Sequence, residues 1–117
     1  MPFVWVRVSP QYWRASRAMM ERFVKKLPTI VAGALSVPDT ERELTPDKIK
    51  VKFETFGPSD IYTKDIEITI WANECWERKR NLDERQELIT KEVKRIVHPG
   101  TTAFVWVLLQ PGSVGEF

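Results

Sequence analysis

PFVWVRV, residues 2–8, is β-branched or aromatic at every position except Pro2 and Arg7, a composition suited to a pleated strand. Its apolar character is nearly continuous, so it reads as a strand buried on both faces. Downstream, from about Gln11 to Leu35, the apolar positions Met20, Phe23, Val24, Leu27, Val31, Ala34 and Leu35 recur at helical spacing. Pro28 lies inside that stretch and cannot donate to the Val24 carbonyl, which predicts a kink or break near Lys25–Leu27. Residues 36–48, SVPDTERELTPDK, are polar with two prolines and read as a loop. A second strand follows over Ile49–Phe56.

The pattern then repeats. Residues 57–64 carry turn formers, and DIEITIWA at 65–72 alternates as a third strand. Asn73–Arg80 is a charged loop. Asn81, with Glu84 three positions on, predicts a capping-box start to a second helix whose apolar face is Leu88, Ile89, Val93, Ile96 and Val97. HPGTT ends that helix, and AFVWVLL at 103–109 is the fourth strand. ERFVKKLPTIVAGAL and ERQELITKEVKRIV share a charged opening and an apolar rhythm, as expected of a duplication with halves near 2–60 and 65–117. Right-handed crossovers make strands one and two parallel, and likewise three and four. The short 57–64 connection sets strand three antiparallel to strand two. The expected class is α/β (α+β): one domain of duplicated β-α-β units, with a four-stranded mixed sheet and two helices on one face.

Eighteen Lys and Arg against sixteen Asp and Glu give a net charge of +2, too small for a surface that tracks phosphates, so no nucleic-acid partner is expected. Nothing resembles a signal peptide or a membrane span, which predicts no membrane partner and a cytoplasmic setting. Cys75 and His98 are the sole residues of their kinds. A disulfide and a zinc cluster are therefore not expected, nor is any metal site. His98, in HPG, reads as a helix-end residue near the negative pole.

The topology gathers a particular set of groups. Strands one and two begin at the same end of the sheet, and strand three finishes there, bringing Pro2, Lys50 and the loop with Arg78 and Arg80 to one rim. If Met1 is removed, Pro2 becomes a secondary amine at the terminus. An ordinary terminal amine titrates at about 7.7–8.0, and neighbouring cations disfavour its protonated form. That gives a base poised near neutrality beside cations suited to a carboxylate.

On these residues the chain resembles the tautomerase superfamily, built from β-α-β units with an amino-terminal proline. The resemblance spans the whole chain. It is carried by Pro2 heading PFVWVRV, by ALSVPD and LTPDKIKVKFETFGPSD after the first helix, and by the closing FVWVLLQPGSVGE. It implies Pro2 as base, Lys50, Arg78 and Arg80 as substrate-binding cations, and Ile61 or Tyr62 as a pocket residue. It also implies a small carboxylated keto or enol substrate, no cofactor, and a homotrimer, since the longer members are fused two-unit chains that assemble as trimers. Dehalogenases and decarboxylases share the same proline, so an isomerase is one of several activities implied. The second half begins Asp65-Ile66 and offers no second proline, implying one site per subunit. Trp5, Phe53 and Trp106 are candidate subunit contacts, and the tail Gln110–Phe117 is a candidate addition to a neighbour's sheet edge.

A binding module without catalysis is the alternative. The same element order describes ferredoxin-like domains, and five Trp residues offer stacking surfaces. The nearest stretch to an RNA-recognition run, KVKFETF, lacks its glycines.

Overall fold

A computed structural model describes residues 2–112, Gly115 and Phe117. Met1, whose removal is expected, and Ser113, Val114 and Glu116, within the proposed edge-adding tail, lie outside the described residues. The elements are β1 (Phe3–Val8), α1 (Pro10–Ala15), α2 (Arg17–Leu35), β2 (Lys50–Thr55), β3 (Ile66–Asn73), α3 (Trp76–Lys79), α4 (Leu82–Ile96) and β4 (Ala103–Gln110), with a single 3-10 turn over Pro46–Lys48 before β2. The sheet runs β2-β1-β3-β4. β1 pairs with β2 in parallel and β3 with β4 in parallel, while β1 and β3 are antiparallel. The expected four-stranded mixed sheet is present.

β3 pairs with β1, leaving β2 at an edge. The residue pattern explains the order. Val4, Val6 and Val8 of β1 and Ile66, Ile68 and Ile70 of β3 are fully buried, whereas β2 alternates exposed Lys50, Lys52 and Thr55 with half-buried neighbours. Charged side chains suit an edge. β1 also departs from the expectation of two buried faces: Phe3, Trp5 and Arg7 are only half-buried, alternating with the valines. The helices cover one face of β1 alone.

The first helical stretch is broken by Ser16 and continuous through Pro28. Ser9 caps α1, its Oγ accepting from the Tyr12 N–H at 3.1 Å, and Pro10 at the first helical position needs no N–H partner. α1 closes at Ser16 (φ −128°, ψ 27°), and α2 restarts at Arg17. Packing carries α2 across Pro28: Met20, Phe23, Leu27, Val31 and Leu35 are all fully buried, and one lost backbone bond is small against that burial. The helix is therefore not broken near Lys25–Leu27, and the break falls at Ser16 instead. Asn81 does precede α4, yet its side chain caps no backbone N–H; its Oδ1 accepts from Arg85 Nε at 2.7 Å instead. His98 is exposed in the turn after α4, where Gly100 takes a φ of 86°, a conformation that favours glycine. The charged 73–80 loop contains the short helix α3.

Ile89 and Val93 of α4 complete the core against β3 and β4. The sheet's other face is aromatic and uncovered. Along it Tyr62 stacks on Phe56 with centroids 4.3 Å apart, the Arg7 guanidinium lies 5.1 Å from Phe56 and 4.4 Å from Trp5, and Trp5 stacks on Trp71 at 6.2 Å. Phe104 and Trp106 of β4 stand on the same face, 43% and 52% exposed. Phe53, expected at a subunit contact, instead packs against Trp13 of the helix layer with centroids 5.0 Å apart.

Candidate active site at the amino end of β1

Pro2 is buried at the head of β1, and its carbonyl accepts from the Lys50 N–H at 3.2 Å. The register pairs Phe3 with Lys50 on one side and with Trp71 on the other. One step outward it sets Pro2 opposite Ala72. Parallel pairing starts β1 and β2 together and antiparallel pairing ends β3 beside them, so Pro2, Lys50 and Asn73 share one end of the sheet. Lys50 is exposed and, among the described residues, paired with no carboxylate.

The two arginines beyond β3 differ. Arg80 is exposed, stacks over Trp76 at 5.0 Å and makes no ion pair among the described residues. A guanidinium backed by an aromatic ring and unpaired is available to an incoming carboxylate. Arg78, expected to bind substrate, is only 3% exposed. Its Nε donates to the Leu35 carbonyl at 2.9 Å, and its terminal nitrogens to the Asn73 and Arg42 carbonyls at 2.9 and 3.5 Å. Burial, opposed in part by Cys75 and reinforced by Arg85 and Arg42, lowers the pKa of its guanidinium. These bonds commit its fork to the protein. The neighbouring Lys79 is held protonated to a higher pH by a 2.6 Å bond to Glu74.

Ile61 and Tyr62 lie elsewhere. Tyr62 donates to Gln11 at 3.2 Å and stacks on Phe56, whose N–H bonds the Val8 carbonyl. They stand at the far end of β1, roughly 20 Å from Pro2 at about 3.3 Å per strand residue. Ile61 is 97% exposed there. Nothing in a single subunit brings the pair to the rim. The expectation came from the family resemblance, whereas the six residues of β1 separate the two ends.

Two features were missed from sequence. A depression of about 410 Å³ beside the site is lined by Phe3, Trp71, Ala72, Asn73 and Gln110; the alternation of DIEITIWA already set Trp71 on the face opposite the buried isoleucines, whereas Asn73 lay outside it. Arg85 also reaches this end of the molecule. As an i+4 neighbour of Asn81 on a charged helix, it carried no signal that set it apart.

No protein-family model matches the sequence, and no curated protein matches it. Solved structures do match the fold. The FG41 malonate semialdehyde decarboxylase inhibited by 3-bromopropiolate has a TM-score of 0.62 at 15% identity, over 97% of this chain and 89% of its own. A second malonate semialdehyde decarboxylase, described with decarboxylase and hydratase activities, has a TM-score of 0.63 at 12% identity, covering 97% and 91%. A fused 4-OT symmetric trimer has a TM-score of 0.56 at 12% identity, covering 93% and 85%. The chain thus has the tautomerase-superfamily fold, along essentially its whole length. At these identities the likeness concerns the fold and leaves the chemistry to the site.

Proposed function

We propose that the protein is a cofactor-independent tautomerase or isomerase acting on a keto–enol or unsaturated keto acid, with Pro2 of a processed chain as base. The observation that carries this reading is the placement of Pro2: buried at the head of a central strand, next in the sheet to Lys50, which pairs with no carboxylate among the described residues. A terminal amine there takes a proton from one position of a conjugated system and returns it at another. Lys50 and Arg80 hold the carboxylate and the developing enolate. The step requires no metal or organic cofactor. The second half has Asp65-Ile66 where the first has Pro2, consistent with one base per duplicated chain. A cytoplasmic setting is part of the same reading.

Lys50→Ala and Arg80→Ala should each weaken transition-state binding of a carboxylated enol by about 1.5–3 kcal/mol, the range for a hydrogen bond to a charged group, with little change in thermal stability. Steady-state kinetics on phenylenolpyruvate, beside melting curves, tests this. Wild-type kinetics in both variants would remove these cations from the site.

The fused 4-OT neighbour is a symmetric trimer, and we extend that assembly to this chain. The uncovered face with Trp71, Phe104 and Trp106 supports the proposal, because a contiguous aromatic surface of this kind marks a contact. Ile61 and Tyr62 would then serve a site only from a neighbouring copy. Trp106→Glu is expected to shift a trimer to monomer in light scattering at micromolar concentration; a wild-type monomer under those conditions would rule the trimer out. The same aromatic face favours a second reading, a binding module without catalysis. Free Pro2 with no turnover across a panel of enol acids would select it.

A further inference from the structure

The last turn of α2 contains no basic residue, and its final carbonyls have no partner within the helix. Two arginines from the other half of the chain occupy them. From one terminal nitrogen Arg85 donates to the Ala34 and Ser36 carbonyls at 3.0 and 3.1 Å, and from the other to the Glu77 carbonyl at 3.4 Å. Arg78 takes the Leu35 carbonyl between them. Three successive carbonyls are thereby satisfied from α3 and α4.

The segment that follows is closed on itself. The Leu44 N–H donates to Ser36 Oγ at 2.8 Å, the Thr40 hydroxyl to the Val37 carbonyl at 2.7 Å, and the Val37 N–H to the Arg42 carbonyl at 3.2 Å. That Arg42 carbonyl also accepts from Arg78, which reaches the Asn73 carbonyl with its remaining terminal nitrogen. Asn73 is one residue beyond Ala72, which the register sets opposite Pro2. One guanidinium therefore joins the end of α2, the loop and the end of β3.

Neither arginine is ion-paired with a carboxylate among the described residues. Taking Arg78 out of water, and half-burying Arg85, without a counter-ion is costly, and a glycine turn would end the helix without that cost. A planar fork offers what such a turn does not, several donors fixed in one geometry.

We propose that Arg78 and Arg85 are positioning residues, a two-arginine clamp that fixes the 36–44 loop at the Pro2 end of the sheet and so sets substrate affinity there. The proposal rests on the enzymatic reading above. The loop leads through the Pro46–Lys48 turn directly into Lys50, so a loosened loop must be ordered again when substrate binds. That ordering cost enters binding, while the proton transfer at Pro2 is left as it was.

Arg85→Met is the first test, since Arg85 lies outside the proposed catalytic and binding groups. Hydrogen exchange of the 36–44 amides should quicken by about tenfold, as expected for loss of roughly one hydrogen bond's net stabilisation, with β1 and β3 unchanged. KM for phenylenolpyruvate should rise by about tenfold while kcat stays within about threefold. Arg85→Lys, which keeps the charge and loses the fork, should not restore KM. Exchange raised equally through β1 and β3, an unchanged KM, or full rescue by lysine would each overturn the clamp. A wild-type chain with free Pro2 and no turnover would instead overturn the enzymatic reading on which it rests.

Discussion

Retention of Met1 is expected to lower kcat/KM on phenylenolpyruvate by about a hundredfold to ten-thousandfold, the contribution of a positioned general base. An acylated proline nitrogen is an amide and cannot accept a proton at neutral pH. In the processed chain the rate should rise as the amine loses its proton. In the proposed site, cations beside the amine would disfavour its protonated form, so the rise should be centred below the ordinary terminal value of about 7.7–8.0. Mass spectrometry of the purified protein establishes which terminus is present before kinetics are compared. Full activity in a protein proven to carry Met1 would eliminate Pro2 as the base. Pro2→Ala is a weaker test, because it leaves a primary amine in place.

The largest expected effect on stability is at Phe23, the bulkiest of the fully buried side chains. It lies in α2, in the core cluster that also holds the valines of β1 and the isoleucines of β3. Phe23→Ala should destabilise the fold by about 3–5 kcal/mol, combining lost transfer energy with the cavity left behind. Such a loss is a large part of the stability of a small domain. Denaturant unfolding with an unchanged m-value measures it. A loss below about 1 kcal/mol would mean that the helices do not pack on the sheet as described.

The duplicated β-α-β order was legible because its signals are local. Alternation in DIEITIWA, the heptad-like apolar rhythm of residues 20–35 and the turn residues HPG each report on a few neighbouring positions. The pairing of β3 with β1 was not legible in that way, since strand order depends on which surfaces are buried best by one another. The break at Ser16 rather than at Pro28 has a related cause: five fully buried side chains hold α2 across its proline, and burial of that kind is a property of the folded whole.

The site divides along the same line. By itself the sequence determined that Pro2 heads a strand, and right-handed crossover then required Lys50 to begin beside it. Tertiary structure alone decided between the arginines. Arg78 and Arg80 are two residues apart on a short helical segment, a spacing that turns them to different faces. One is buried against the carbonyls of Leu35, Asn73 and Arg42, and the other stays exposed over Trp76. Those carbonyls come from positions 5 to 43 residues away in the chain, and only folding brings them within reach of one guanidinium.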